Sequence, residues 1–357
     1  MTPRRALLAT VLLLPGLAWA QPAPEAQRDA IRRIVANHVL PRHAAFTAAA
    51  RDFAIATAAV EATPSTATAE AARDAWVRTA LAFQGIRHLR FGPMDAFDRG
   101  FRIDFFPDTR NTITRDIAEL LRGADPASIT PEAFARGRVG AQGLPAAERL
   151  LFGTEAPRLL ATDQAFRRTL LTAIGRNLLE MASGLEAAWT TQQPSEEVLL
   201  EGTPGGIYQT PQDGLLVLFK SLHGGIEFVA EREVARPLGP SLREAFPRRA
   251  EAWRSGQSLA LVSAAIAALE ELWRVGFAPL TTTAGASLAG EIDAAFAKAA
   301  AAATQVTPSL EAAVTEADGR PKVEALVQAL NDTRHMLADR VAPAIGVPVG
   351  FNSTDGD

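Results

Sequence analysis

Cysteine is absent from all 357 residues. That excludes disulfides, thiol catalysis, iron–sulfur clusters and a lipid-modified N-terminal cysteine, so the chain is not a lipoprotein. Lysine is nearly absent too. Lys220, Lys298 and Lys322 are the only lysines among 36 basic residues; the rest are arginine. With a single tyrosine and abundant alanine, this is a composition bias, and one arginine alone says little about function. The net charge of −4 and the pI near 5.8 supply no basic footprint for nucleic acid. Long apolar runs are missing beyond residue 20, and Asp293 and Lys298 interrupt the alanine-rich run near 293–303. No segment after the N-terminus is therefore expected to span a bilayer. Few runs of β-branched residues occur, which argues for helix almost throughout.

The N-terminus itself reads "MTPRRALLATVLLLPGLAWAQ". Arg4 and Arg5 form a basic start, a short apolar run follows, and Ala18-Trp19-Ala20 makes a small-x-small cleavage site. Residues 1–20 are expected to be a secretory signal peptide, with the mature chain starting near Gln21. A cysteine-free exported chain fits a bacterial periplasm, with release beyond the cell as the alternative.

Helical periodicity runs from about 25 to 62, with a kink expected at Pro41. A second helix through Ala72, Trp76, Leu81 and Phe83 has Ser65 or Thr66 as its cap. Residues 90–112 form a long connection carrying Phe91, Phe97, Phe101, Phe105 and Phe106, which predicts a packed loop. Further helices are expected near 112–123, 131–136, 145–152, 162–192, 212–236, 241–252, 256–276, 286–303, 306–316 and 321–341. The Pro-, Gly-, Thr- and Gln-rich stretch 190–213 is the best domain boundary. It separates an N-terminal bundle over 21–195 from a C-terminal bundle over 205–357. A weak internal echo joins "FQGIRHLRFGP" to "HGGIEFVAEREVARPLGP".

The stretch "AQGLPAAERLLFG", residues 141–153, raises a specific question. Read as a helix, it places Leu144, Glu148, Leu151 and Phe152 on one face. A carboxylate there needs a partner, because burying it alone is costly. Two readings stand: a polar lock with an arginine such as Arg102 or Arg254, or one wall of a ligand or cation site. His223 and Glu227, four apart on one helical face, could share a metal or a hydrogen bond at a helix seam. Arg102, Asp104, Asp108 and Arg110 either pin the aromatic loop or form a polar lip over a cleft. Asn352, Asp355 and Asp357 at the tail are hard oxygen donors. None of the five histidines is followed by glutamate, so no H-E-x-x-H motif exists. His38 and His43 lie roughly 140° apart on a helix and make no joint site. No nucleophile elbow, P-loop or dinucleotide fingerprint is present.

Five stretches, in order, resemble the imelysin-like family of bacterial periplasmic and outer-membrane-associated proteins: "FRIDFFPDTR", "GLPAAERLLFG", "FKSLHGGIEF", "RSGQSL" and "GFNSTDGD". The resemblance covers one unit over about 25–357. It implies an all-α fold of two helical bundles packed together, with a site in the cleft between them, and a link to iron acquisition. The family signature Gly-x-His-x-x-Glu falls on Gly143, Pro145 and Glu148. Pro145 replaces the histidine and cannot ligate a metal; this form is expected to mark a subgroup. The expected function is a periplasmic binding protein serving metal, chiefly iron, acquisition. Its binding residues are expected to be Glu148, Arg102, Asp104, His223, Glu227, Arg254, Asn352 and Asp355, with Glu148 and His223 the candidates for metal. The implied cofactor is iron or another divalent or trivalent cation. Possible partners are a metal ion or small ligand and an outer-membrane or periplasmic uptake component, without nucleic acid. A metallopeptidase and a structural partner of an uptake system are the alternatives.

Overall fold

The computed structural model describes residues 21–191, 195–284 and 286–347. The signal sequence and the tail residues Asn352, Asp355 and Asp357 lie outside the described residues. Helix is the only regular secondary structure among those described. No helix there is long and apolar enough to cross a membrane.

The first long rod joins α1 (Pro24–Ile34) to α2 (Leu40–Ala62) through a π turn at Val35–Val39. Helix α3 (Thr66–Gln84) starts at Ser65, whose side chain and that of Thr68 cap each other's backbone N–H groups. Then come α4 (Thr112–Gly123), α5 (Gly143–Phe152) and α6 (Ala165–Thr190). Helices α2, α3, α5 and α6 pack on one another. Thr210 and Asp213 form a second capping box, opening α7 (Pro211–Glu227). Helices α8 (Ser258–Leu272) and α10 (Arg320–Met336) pack on α7, and α9 (Ala286–Gln305) packs on α8 and α10. These groups meet where α8 packs on α3 and where α1 packs on α7 and on the Trp273–Phe277 turn.

The expected kink at Pro41 takes a particular form. π turns occupy Val35–Val39, Phe228–Ala235, Trp273–Phe277 and Leu337–Val341, and each is followed two residues later by a proline: Pro41, Pro237, Pro279 and Pro343. A proline inside a helix lacks an N–H, and its ring collides with the carbonyl four residues back. Widening the preceding turn moves that carbonyl aside. Accordingly Leu40 N bonds Val35 O, Ala278 N bonds Trp273 O and Ala342 N bonds Leu337 O, each five residues back.

Three expectations need correction, the first being the helix at 306–316, of which only Leu310–Ala313 is helical, after the cis Thr307–Pro308 bond. Residues 241–252 are not a helix; they hold two 3-10 turns, Leu242–Glu244 and Pro247–Arg249. Pro240 and Pro247 flank or interrupt the run, and Ala252 sits at φ 52°. The aromatic connection packs only in part. Phe91 and Ile103 are buried, but Phe97 is 81% and Phe101 55% exposed. Asp108 anchors its end by accepting from the backbone N–H groups of Thr112 and Ile113, both at 2.9 Å, at the start of α4.

Candidate functional site

Glycine at 143 is required by geometry. Its φ is +71°, and a Cβ there would stand 2.2 Å from the Ile103 carbonyl oxygen and 2.3 Å from that of Arg102. The aromatic connection therefore lies directly on the start of α5, and only glycine lets it do so. Trp76 Nε1 donates to the Leu144 carbonyl at 2.9 Å and fixes α5 against α3. These contacts aim Glu148 at the turn 250–256, where Gly256 also has a positive φ.

Glu148 is 3% exposed. Its Oε1 accepts from the backbone N–H of Arg254 and of Ser255, each at 2.9 Å, and from Ser255 Oγ at 3.2 Å. Its Oε2 lies 3.6 Å from Arg254 Nη1. Burial pushes the carboxyl above its ordinary range, and the Ser255 donors and the Arg254 charge oppose that push. Of the two candidate arginines, Arg254 meets Glu148. Arg102 turns away, donating to the carbonyls of Ala135 and Gly137 at 3.0 and 3.3 Å. A cavity of about 130 Å³ opens beside Glu148, walled by Asp104, Pro145, Trp253 and Arg254 among others.

Asp104 belongs to a buried ion cluster that the sequence reading missed. Its Oδ2 lies 2.7 Å from Arg87 Nη2. Arg87 also donates to Glu233 at 2.8 Å and to Glu251 at 2.6 Å. Its guanidinium sits 4.2 Å from the centre of the Phe228 ring. Burial pushes the carboxyls of Asp104, Glu233 and Glu251 up, while the Arg87 charge pulls them down. Mutual repulsion adds to burial at Glu251, which is raised the most. Three carboxyls facing one guanidinium make retained protons the cheaper state. The available signal was the internal echo: Arg87 stands in "FQGIRHL" and Glu233 in "HGGIEFVAERE".

A larger cavity, about 970 Å³, lies on the other side of Arg87. Gln84, His88, Arg90 and Phe106 from the first half line it, facing Lys220, Gly224, Glu227, Phe228 and Arg232 from the second. The two echoing stretches thus face each other. A Cβ on Gly225 would come within 2.9 Å of His88 Cβ, whereas one on Gly224 would meet nothing within 4 Å. Glu227 pairs with Arg334 at 3.2 Å. His223 is buried and packed on Phe219, with their ring centres 6.5 Å apart; burial pushes its pKa down. Behind the wall, His38 bonds Glu271 at 2.8 Å through Nδ1 and His88 Nε2 at 3.0 Å through Nε2. With Nδ1 donating to a carboxylate, His38 Nε2 must accept, so His88 donates through Nε2 and keeps Nδ1 as an acceptor. Among the described residues, no group of three or more His, Cys, Asp or Glu side chains is placed to hold a metal ion. Glu148, Asp104 and Arg254 thus border the small cavity, Glu227 borders the large one, and Arg102 borders neither.

Among the described residues, an all-helical fold encloses a buried ion cluster with a cavity on either side of it. The family model described as Peptidase_M75: Imelysin matches residues 39–337, and the chain belongs to the imelysin family. Among solved structures, it is similar to an imelysin-like protein from Psychrobacter arcticum 273-4, with 22% identity and a TM-score of 0.76, over 93% of this chain and 99% of that one. It is also similar to a protein from Parabacteroides distasonis ATCC 8503, provisionally named an iron-regulated protein A precursor, with 15% identity and a TM-score of 0.71, over 90% and 98% of the two chains. No curated protein matches it.

Proposed function

We propose that this is a non-enzymatic binding protein, exported to the periplasm, that serves iron acquisition. Its ligand seat is the large cavity between an N-terminal and a C-terminal bundle. The observation that carries this reading is the cavity itself. At about 970 Å³ it is at the upper end of ordinary small-molecule sites. Phe106 and Phe228 offer apolar faces, and five basic side chains, Arg87, Arg90, Lys220, Arg232 and Arg334, outnumber the three glutamates Glu227, Glu231 and Glu233. That lining suits a small anionic iron chelate better than a bare ion. The iron-regulated name of the Parabacteroides relative supports the iron link.

The family model's peptidase name keeps a second reading in view. Zinc hydrolysis needs two or three protein ligands and an open position for water. Pro145 removes the signature nitrogen, and Glu148 spends its oxygens on Arg254 and Ser255. The purified protein, incubated with a denatured polypeptide, should leave it intact with or without chelator. Chelator-sensitive cleavage would overturn the binding-protein reading in favour of the peptidase.

A further inference from the structure

The small cavity beside Glu148 carries a second, separate assignment. Its wall holds four carboxylates and four arginines: Asp104, Asp108, Glu148 and Glu251 against Arg236, Arg248, Arg249 and Arg254. The carboxylates are all engaged. Asp104 and Glu251 face Arg87. Asp108 caps α4, and Glu148 takes the donors of Arg254 and Ser255. Apart from Arg254, the arginines are not. Among the described residues, Arg236, Arg248 and Arg249 make no ion pair; Arg248 and Arg249 rest on the rings of Trp253 and Phe246 at 5.3 and 3.7 Å. Burial pushes the Arg236 pKa down, the charges of Arg249 and Arg232 add to that push, and Asp108 opposes it. Three guanidinium groups without an ion pair thus share one cavity wall, with the charge of Asp108 acting on Arg236.

We infer that this cavity binds a small multivalent oxyanion, held by the guanidinium groups of Arg236, Arg248 and Arg249. A guanidinium offers paired N–H donors that match the oxygens of phosphate or carboxylate. A cavity of 130 Å³ holds about four water-sized groups, the scale of phosphate or a short dicarboxylate. A bound anion would add to the compensation that Asp108 gives Arg236. The assignment does not depend on what the larger cavity takes.

Calorimetric titration of the full exported protein at low ionic strength tests it, with inorganic phosphate in one arm and succinate in the other. Saturable one-to-one binding of either anion is expected, and the tighter of the two identifies the headgroup. Arg249→Gln and Arg236→Gln should each weaken that binding at least tenfold. Arg51→Gln, an exposed arginine on α2 outside the cavity, should leave it within about twofold. The Arg249 side chain is exposed and makes no ion pair, and loss of its stacking on Phe246 should lower the melting temperature by no more than about 2 °C. Absence of saturable heat from both anions up to about 10 mM would overturn the inference. Equal binding by wild type and the Arg249 and Arg236 variants would overturn it too.

Discussion

Glu148 is an acid in an apolar stripe, and its surroundings explain the placement. Its carboxylate closes two backbone N–H groups and a hydroxyl in a tight turn, so it joins two distant stretches rather than facing a dry core. Glu148→Gln keeps the shape and removes the charge. Charge-assisted hydrogen bonds of this kind are worth about 2 kcal/mol, and the Arg254 side chain, 22% exposed, loses its charge partner 3.6 Å away as well. For a chain of this length that is a fall in melting temperature of roughly 3 °C, measurable by calorimetry. An unchanged melting temperature would remove the lock. The spacing of Leu144, Glu148 and Leu151 made the acid visible in the sequence. Its partners were not visible, because a backbone N–H donor has no signature in side-chain letters. His43 gives a second test at this scale. Burial pushes its pKa down to about 4, while Nδ1 donates to the Val39 carbonyl at 2.8 Å. Between about pH 6.5 and 4 the unfolded chain therefore binds a proton that the folded chain refuses. This contribution to stability, about 3 kcal/mol at most, is present above pH 6.5 and lost as pH falls towards 4. The His43 ring resonances should turn over near 4 in an NMR titration; a midpoint at the ordinary value of about 6.5 would contradict the burial argument.

At the scale of elements, prolines and glycines decide the outcome. Helix positions were legible because alanine-rich periodicity survives a π turn: the expected 212–236 helix is α7 continued by Phe228–Ala235. The π turns were not legible as such. Proline announces a broken ladder, but whether the helix kinks, stops or widens depends on packing. The 241–252 stretch was misread because its apolar and arginine spacing looks helical, while Pro247 and the stacking of Arg248 and Arg249 on rings hold it in short turns. Two glycine substitutions separate conformational need from packing space. Gly143→Ala meets a positive φ and a carbonyl 2.2 Å away, so it should cost about 3 kcal/mol or more. Gly224→Ala lies inside α7, with open space beyond its Cβ, and should gain about 0.5 kcal/mol from helix propensity. Denaturant midpoints measure both. Equal effects would mean that the close approach of the aromatic connection to α5 is wrong.

At the scale of the whole molecule, the family and the all-helical fold were legible from five ordered stretches, and three of them now have physical work. "GLPAAERLLFG" meets "RSGQSL" through Glu148, and "FRIDFFPDTR" delivers Asp104 to Arg87. The buried cluster was hidden because its members are scattered from Gln84 to Glu251 and only the folded chain gathers them. The proposed function turns on the large cavity as the ligand seat, and Gly224 offers a way to close it without touching a charged group. Gly224→Trp would place an indole into open space on the cavity wall. The measurement is equilibrium dialysis of the wild type and of Gly224→Trp against ferric citrate, with bound iron counted by mass spectrometry and folding checked by melting temperature. The account predicts stoichiometric iron on the wild type and at least a tenfold loss of affinity, about 1.4 kcal/mol, in a variant that melts normally. Equal iron on both proteins, or none on the wild type, would contradict it.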